Sequence, residues 1–312
     1  MTAFRTSKLD ADESVWFGRQ LEHVKSKTYD KKFTKLKIRE LLPTSFEAGE
    51  GAETITYEQF DEVGAARVIV DYANDFKSSD VRAKEFTGKI KSLGSSYKYS
   101  IQEIRANMMQ NKSLVQRKAN SAKRRVMELE NKIAFYGDTL HSLNGWLTNA
   151  NIPDVALAAD GSGASTTLLS KTPAQQIRDL NNIANAVVNQ SNGVETADTM
   201  LLPIPIFTSL VAAPRSDQSD KTVLNYFMEN NIFIEDMDWV NELAAANSGG
   251  VLSGDTAIAY RRDPDVIELE IPKDFEQFPP EPKGMAFEVA CHERHGGVSI
   301  YYPLAMAKSD DV

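Results

Sequence analysis

The chain has 312 residues with a formal net charge of −9, and 42% of its residues are hydrophobic and 25% charged, an ordinary composition for a globular protein of two lobes. The negative charge argues against a protein dedicated to binding nucleic acid, because the affinity of such proteins depends on Lys and Arg. It does not exclude a local basic face. A single cysteine, Cys291, excludes an intrachain disulfide framework, and the absence of an apolar leader or of an 18-residue apolar run predicts a cytosolic protein with no membrane partner.

The first 45 residues form an unusually polar segment. Residues 1–40 carry ten Lys or Arg against six Asp or Glu, a local net charge of +4. The pattern predicts one amphipathic helix at residues 13–27. The apolar residues that follow are separated by charges: Phe33, Leu36, Ile38 and Leu41. Such a segment buries too little apolar surface to fold alone, so it docks either on its own subunit or, as an arm, on a neighbouring one.

Residues 46–98 carry few helix signals. Alternation of β-branched and aromatic residues with polar ones predicts two extended strands at 54–60 and 65–72, which join near 61–64. A charged stretch at 75–88 and a further extended piece at 90–99 follow. A long two-stranded excursion is marginally stable by itself, so we expect a partner to cover it.

The longest predicted helix lies at residues 113–136, after a short helix at 100–109. Ser113 with Gln116 can form its N-terminal cap, and Gly137 supplies a left-handed stop. At 1.5 Å per residue the helix would span roughly 36 Å, so other layers are expected to pack against it. One narrow apolar stripe runs along its whole length: Val115, Ala119, Ala122, Val126, Leu129, Ile133 and Tyr136.

The same helix carries six basic residues against two acidic ones. Five of the basic residues fall on two adjacent heptad positions away from the apolar stripe: Arg117, Lys118, Arg124, Arg125 and Lys132. Most such faces are only solvated, and Glu128 with Lys132 could add a weak i,i+4 pair. The functional alternative is a non-specific contact with a polyanion or with acidic neighbours.

Residues 154–271 are predicted to form a compact α/β lobe. Thr172 and Pro173 have the cap and first-turn chemistry of a helix start, and Gly193 would end that helix. The remaining predicted elements are a buried strand leading into a short helix within 198–211, a helix at 222–230, strand pieces at 232–234 and Trp239, and alternating strands at 257–260 and 266–271.

The last segment, residues 275–307, returns to strand character. Phe287, Val289 and Cys291 alternate along one predicted strand, and Val298, Ile300 and Tyr302 along the next. With His295-Gly296-Gly297 between them, the pattern predicts an antiparallel hairpin.

Motifs for catalysis are sparse. GxxxxGK[ST] and GxSxG motifs are absent, and Gly161-Ser162-Gly163 lacks the third glycine of a dinucleotide fingerprint, so we predict a loop there. No Ser or Cys motif accompanies the four histidines: His23, His141, His292 and His295. The acidic pairs Asp236/Asp238 and Asp263/Asp265 are predicted to be turn residues. We predict no catalytic residue and no cofactor, with a motif-poor α/β enzyme as an alternative.

The stretch from Cys291 to His295 is the only cluster of metal-ligand residue types in the sequence. On a strand Cys291, Glu293 and His295 would share one face and His292 would lie on the other. Without a bulge they would not converge on one ion, so we predict a buried cysteine with polar neighbours and no metal site.

The order of these pieces resembles the major capsid proteins of tailed bacteriophages, which have the Hong Kong 97-type capsid fold, and it is most similar to their encapsulin-like branch. YSIQEIRANMMQNKSLVQRKANSAKRRVMELENKIAFYGDTLHSLNGWLTNANI resembles that branch's short helix, spine helix, FYGD end and following loop. FEQFPPEPKGMAFEVACHERHGGVSIYYPLAMA is similar to the family's closing segment, and EGAETITYEQFDEVGAARVI with RQLEHVKSKTYD matches its N-terminal pattern.

The resemblance implies an α+β fold in five segments. Residues 1–45 would be an N-arm and 46–98 an extended β-hairpin loop, the E-loop. Residues 99–150 would be a peripheral domain with the long spine helix, 151–271 an axial α/β domain, and 272–312 the return to the peripheral domain.

The function that the resemblance implies is that of a major capsid protein. Copies would self-assemble into pentamers and hexamers of an icosahedral shell that encloses viral double-stranded DNA, in a virion assembled in the host cytoplasm. Candidate partners are scaffold, portal and decoration proteins, and the packaged DNA would be contacted non-specifically by the five basic helix residues. Since little precedes the arm, we expect a separate scaffold protein or none. An encapsulin-like nanocompartment shell is the alternative within the same fold.

Overall fold

The computed structural model describes residues 32–64, 78–110, 114–216 and 218–312. Residues 36–312 form one compact unit. The helices are α1 (Ile38–Leu41), α2 (Ile101–Gln110), α3 (Leu114–Tyr136), α4 (Pro173–Gln190), α5 (Ile204–Ala212) and α6 (Val223–Asn230). Short 3-10 turns occur at Leu168–Ser170, Asn241–Leu243, Ala245–Asn247 and Pro303–Ala305.

The strands of the described residues form three sheets and one separate hairpin. In chain order they are β1 (Thr44–Ser45), β2 (Thr54–Val63), β3 (Asp80–Lys89), β4 (Lys91–Ser100), β5 (Thr199–Pro203), β6 (Asp236–Val240), β7 (Thr256–Tyr260), β8 (Ile267–Glu270), β9 (Lys273–Gln277), β10 (Glu281–Lys283), β11 (Ala286–His295), β12 (Gly297–Ile300) and β13 (Met306–Asp310). The sheets have the orders β1-β8-β12, β10-β11-β4 with β9 also on β11, and β13-β7-β5-β6, while β2 and β3 pair only with each other. The protein is therefore α+β, as predicted.

Aromatic side chains at the end of α3 form the centre of the largest buried cluster. Trp146 lies against Phe135 with ring centroids 6.0 Å apart and meets Tyr260 edge to face at 4.7 Å. Leu41 and Leu42 belong to the same cluster. A second cluster lies under α4, α5 and α6, and a smaller one joins Val126 to strand β4. The segment that opens the compact unit thus shares a core with the end of the long helix.

The long helix is confirmed as α3, and Ser113 with its proposed cap lies outside the described residues. Gly137 stops it with φ of +72°, and a Cβ there would approach Leu143 O and Gly145 N to 2.8 Å. Both the left-handed conformation and the close approach require glycine.

The apolar stripe of α3 is confirmed at all but one position. Ala122, Val126, Ile133 and Tyr136 are buried, and Val115 and Ala119 are half-buried. Leu129 was predicted to be buried, and that prediction is wrong, since 42% of it is exposed.

Leu129 is exposed because the neighbouring segments cover a different face of α3. Around it, the buried face of α3 includes Glu130 and Asn131, because α1 packs there and its Ile38 N–H donates to Asn131 Oδ1. Leu129 instead borders an open cavity of about 840 Å³.

The predicted pairing within residues 46–98 is wrong in part. Strand β2 exists, but its partner within the described residues is β3, which lies in the stretch that the sequence identified only as charged. Residues 65–72, the predicted partner, lie outside the described residues. Because β3 is exposed on nearly its whole length, no hydrophobic alternation is imposed on it. Strand β4 and helix α2 confirm the extended piece at 90–99 and the short helix at 100–109.

Within residues 154–271 the helix predictions hold. Thr172 forms a capping box with Gln175 at the start of α4, where Pro173 is the first residue. The buried strand and following helix are β5 and α5, and α6 begins after Thr222. Residues 232–234 are not a strand, so that prediction is wrong, whereas Trp239 does lie in β6. Strands β7 and β8 occur as predicted but belong to different sheets, and β7 is buried throughout rather than alternating.

The predicted hairpin of β11 and β12 does not form. Strand β11 pairs with β4, β9 and β10, whereas β12 pairs with β8. The chain passes between sheets at Gly297, whose φ is +80° and whose added Cβ would meet Asn144 O at 2.7 Å. Both edges of β11 are occupied by other strands, so no edge is left for β12.

The last strand, β13, pairs with β7 in the sheet of residues 151–271. The sequence-based division assigned residues 306–310 to the peripheral domain, and this pairing places them elsewhere. The division as a whole stays a prediction. Within the described ranges, no helix combines the length and the apolar character that a membrane crossing requires.

Candidate assembly surfaces

The hairpin of β2 and β3 projects from the sheets and is held at its base. Tyr57 donates its hydroxyl to Ile300 O at 3.3 Å, stacks on Phe86 at 5.2 Å and meets Tyr301 edge to face at 4.8 Å. Beyond these contacts, every residue of β2 after Tyr57 is exposed. The base of the hairpin is thus fixed by aromatic packing while most of its surface meets solvent.

One face of the hairpin, here called the outer face, points away from Tyr57. Directly opposed residues of an antiparallel pair share a face, so the outer face consists of Thr54, Thr56, Glu58, Phe60 and Glu62 with Lys89, Thr87, Glu85, Ala83 and Val81. Phe60 is 64% exposed and Val81 58%. Glu58 lies directly opposite Glu85, an arrangement that disfavours the pairing of the two strands. The outer face therefore combines apolar groups with carboxylates that repel one another.

The basic residues of α3 divide into two groups. Lys118 donates to Glu103 at 2.9 Å and to Lys98 O at 2.8 Å. Arg124 and Arg125 both donate to Glu128, at 2.9 and 2.7 Å. Glu128 was predicted to pair with Lys132, and that prediction is wrong, because the two arginines one turn earlier already bind its two oxygens.

Arg117 and Lys132 are exposed, and Lys132 lines the same cavity as Leu129. Arg125 keeps 65% of its side chain exposed although it contacts Glu128. The sequence grouped five basic residues on one face. Three of them, Arg117, Arg125 and Lys132, present their side chains to solvent most fully.

Residues 36–45 contact the rest of the compact unit through charged groups as well as core side chains. Lys37 Nζ donates to both Asp238 oxygens at 2.8 Å and to Trp239 O at 2.7 Å, and it lies 3.7 Å from the Trp239 ring centroid. Asp238 lies on strand β6, so its prediction as a turn residue is wrong, as is that of Asp236. Tyr260 donates its hydroxyl to Leu41 O at 2.8 Å.

Arg39 is the second charged anchor of this segment. Its Nε and Nη2 donate to the two oxygens of Glu130 at 2.6 and 2.8 Å, and Nη2 also reaches Asp274 Oδ1 at 3.0 Å. This two-pronged geometry is the strongest form of ion pair that an arginine makes. Glu130 raises the pKa of Arg39 further, which keeps the guanidinium charged.

Two buried ionisable groups lie beside this pair, and sequence reasoning missed the role of both. Glu293 and His295 are each 0% exposed. Burial, together with Glu130, raises the pKa of Glu293 to about 8, and burial lowers the pKa of His295 to about 4. The alternation of β11 was predicted correctly, with Cys291, Glu293 and His295 buried on one face. The sequence contained no signal that Arg39 and Glu130 would meet them.

Sites for chemistry are few. In the described part of the chain no group of three or more His, Cys, Asp or Glu side chains is placed to hold a metal ion. Burial raises the pKa of the Cys291 thiol, which favours its unreactive protonated form. Asp263 caps its own turn, accepting from the Asp265 N–H at 3.0 Å, as predicted for this pair.

The fold is shared with solved structures of assembled shells. The capsid of the Myoviridae phage XM1 matches over 99% of this chain and 100% of its own, with a TM-score of 0.81 and 15% identity. The capsid of a native GTA particle matches over 97% and 99%, with a TM-score of 0.62 and 11% identity. A virus-like particle from Pyrococcus furiosus matches over 88% and 92%, at 0.57 and 15%. The chain therefore has the Hong Kong 97-type capsid fold.

The family follows from the sequence itself. A family model described as major capsid protein matches residues 64–312, and the chain belongs to that family. No protein among those with curated descriptions matches the chain in sequence. The chain is thus a structural protein of a viral capsid, located in the virion, whose copies assemble into a shell. This result favours the capsid hypothesis over the nanocompartment and the enzyme.

Proposed function

We propose that copies of this chain form pentamers and hexamers that close into an icosahedral shell around viral double-stranded DNA. The observation that carries the proposal is the outer face of the hairpin. It is a long exposed surface, and within the described residues the only cation on the same face of the opposed strand is Lys89 at the base.

A neighbouring copy would supply what this face lacks. Burying a Val or Phe side chain contributes about 1.5–3 kcal/mol, so Phe60 and Val81 together would favour docking substantially. A basic side chain placed between Glu58 and Glu85 would replace their repulsion by attraction. The face that receives this contact would differ from the face that donates it, so the contact would be heterologous, and heterologous contacts whose rotation closes form rings.

The shell interior is assigned to the side of α3 that carries Arg117, Arg125 and Lys132. Contacts of these residues with DNA would be independent of sequence and sensitive to salt, with the logarithm of affinity changing by about 0.9 per phosphate for each tenfold change in salt concentration. Lys118 and Arg124, also predicted as DNA-facing candidates, would contribute less because their side chains are less exposed than that of Arg125.

The finer division of the chain belongs to this proposal. Residues 1–45 would act as the N-arm, 46–98 as the E-loop, 99–150 as the peripheral domain and 151–271 as the axial domain. Residues 272–312 would return to the peripheral domain, apart from strand β13, which joins the sheet of β7. Assembly would occur in the host cytoplasm, with portal, scaffold and decoration proteins as further partners.

Electron microscopy of the expressed full-length chain tests the proposal. We expect closed shells or capsomer rings from the native chain. The variant Glu58→Lys/Glu62→Lys/Glu85→Lys should remain folded, because all three side chains are exposed, yet form neither. The matched control Asp61→Lys/Asp80→Lys changes carboxylates on the opposite face of the same hairpin and should assemble.

Two outcomes would contradict the proposal. One is a native chain that stays monomeric, at about 35 kDa, at high concentration. The other is a triple variant that assembles as well as its control. For the interior, Arg117→Glu/Arg125→Glu/Lys132→Glu should give shells that retain less DNA, and unchanged DNA content would reject that assignment. Shells filled with a protein cargo would favour the nanocompartment instead.

A further inference from the structure

Four separate elements bring ionisable side chains together beneath residues 36–45. Arg39 comes from α1, Glu130 from α3, Asp274 from β9, and Glu293 with His295 from β11. We call this group the carboxyl clasp. It lies wholly within one chain, so its behaviour does not depend on the proposed shell.

The clasp contains more buried negative groups than positive ones. Glu130 is 1% exposed and Glu293 0%. The single guanidinium of Arg39 binds both oxygens of Glu130 and reaches Glu293 Oε1 only at 3.4 Å. Its remaining hydrogen bond goes to Asp274, whose side chain is 60% exposed at the solvent edge. One arginine cannot neutralise two buried carboxylates and a third at the edge, so the burial of all three charges is unfavourable.

The surroundings of Glu293 provide no second cation. His295 lies on the same face of β11, fully buried, and neither of its ring nitrogens has a hydrogen-bond partner within the described residues. Burial lowers the pKa of His295 to about 4, so its imidazole is neutral near pH 7. From strand β4 the residue opposite Glu293 is the apolar Leu93. Lys123 helps to lower the pKa of Asp274 at the edge.

The remaining means of balancing the charge is a proton. Glu293 Oε2 has no hydrogen-bond donor within the described residues, whereas the Glu130 carboxylate lies close enough to accept a hydrogen bond from a protonated Glu293. The Oε2 atom of Glu293 thus has an acceptor nearby but no donor, while Arg39 reaches only Oε1. Burial first, and then Glu130 and Asp274, raise its pKa to about 8, while Arg39 acts in the opposite direction.

We propose that one proton held between Glu293 and Glu130 locks residues 36–45 onto the spine helix α3, and that loss of this proton releases the segment. The other attachments of the segment include the short elements α1 and β1, the buried side chains of Ile38, Leu41 and Leu42, the Lys37–Asp238 pair and the hydrogen bond from Tyr260 to Leu41 O. When Glu293 loses its proton to solvent, two adjacent carboxylates compete for Arg39. When Arg39 and residues 36–45 withdraw, water reaches both carboxylates and stabilises their charges.

Hydrogen exchange of the full-length protein, followed by mass spectrometry, tests the clasp. The reporters are peptides containing Leu42, Leu269 and Ile271, whose amides donate to Ile38 O, Pro43 O and Ser45 O respectively. Their protection is expressed relative to helix α4 in the same sample, which cancels the pH dependence of the exchange chemistry. The pKa of Glu293 is about 8 while residues 36–45 are docked and would return to 4.5 once they are released. For the loss of this one proton, relative protection should fall roughly 15-fold between pH 6.5 and 8 and level off above pH 8.

Two variants and a control make the test specific. Glu293→Gln keeps the shape and the hydrogen-bond donor of the protonated acid, so protection should stay constant with pH. Glu130→Gln leaves Glu293 alone with Arg39, lowers the pKa of Glu293 and should also remove the fall. Glu288→Gln, on the opposite face of β11 and paired with Lys283, should behave as the native chain does.

The proposal is overturned if the native chain shows constant protection between pH 6.5 and 8, or if Glu293→Gln shows the same fall. If Glu293→Gln misfolds, which reduced protection in α4 would reveal, the result for Glu130→Gln decides by the same criterion.

Discussion

Two pairs of glutamates in this protein differ mainly in their contact with water. Glu58 and Glu85 lie opposite each other on the exposed outer face of the hairpin, and Glu130 and Glu293 lie together in the buried clasp. In water two like charges 4 Å apart repel by about 1 kcal/mol, whereas at the lower effective dielectric of a protein near its surface the figure is about 4 kcal/mol. The repulsion within the exposed pair is therefore small enough to be tolerated until a neighbouring copy binds, whereas the charge of the buried pair must be balanced within the chain. The same residue type thus serves recognition outside and proton binding inside.

The largest contrast is expected between two variants of α3, one with a charge introduced on its buried side and one with a charge introduced on its exposed side. Val126 is buried against Leu93, Ile133 and Leu143, so Val126→Asp should cost more than about 4 kcal/mol and yield no folded protein. Leu129→Asp, one turn further along, should change the free energy of unfolding by less than about 1 kcal/mol. Urea unfolding and the soluble yield measure both. An equal loss of stability in the two variants would mean that the Leu129 side chain is buried.

Removing the cation of the clasp should have the next largest effect. Arg39→Ala leaves Glu130 buried without its partner, which typically costs about 3–5 kcal/mol. Arg125→Ala, on helix α3 with Glu130, removes an exposed ion pair and should cost less than about 0.5 kcal/mol. Denaturant midpoints compare the two variants. A small effect at Arg39 would show that residues 36–45 are held mainly by apolar contacts.

Acidification should reveal the smallest of these effects through His295. Because its pKa is about 4 in the folded protein and 6.5 when unfolded, protonation favours the unfolded chain as the pH falls from 6.5 to 4. Relative to His295→Gln, the native chain should lose stability over this range, on the order of 3 kcal/mol at the acidic end. Thermal unfolding at several pH values measures the difference.

His141→Gln is the matched control, since His141 is exposed and contacts only the nearby Asp138. Its pH dependence should follow that of the native chain. A difference between the native chain and His295→Gln that does not change with pH would mean that water reaches the imidazole in the folded state.

The parts of the structure that follow from short-range rules were predictable. Helix α3 and its stop at Gly137, the capping box at Thr172, and the alternation of Glu293 and His295 along β11 each depend on residues within a few positions of one another. Side-chain periodicity and backbone sterics operate at that distance, so they can be read from the chain.

Strand partners were less predictable. Strand β3 is charged and exposed, so it lacks the alternation that marks a half-buried strand, and β12 was assigned to its sequence neighbour β11 although it pairs with β8. Which edges are free depends on where every other strand lies. A local pattern cannot report that.

The candidate sites divide in the same way. The basic side of α3 was visible in the sequence, but only the structure separated Lys118 and Arg124, which meet Glu103 and Glu128, from the more exposed Lys132. The acidic outer face of the hairpin became visible only when β2 was paired with β3, because that register sets Glu58 opposite Glu85.

The sequence by itself determined the family, through its resemblance to major capsid proteins, and helices α2 to α6, through short-range periodicity. Tertiary structure alone decided which charges are buried together. Arg39 and Glu130 are 91 positions apart, and Arg39 and Glu293 are 254 apart. The pKa of Glu293 and the attachment of residues 36–45 depend on the dielectric surroundings and on charges from distant segments. Those surroundings exist only once the chain has folded.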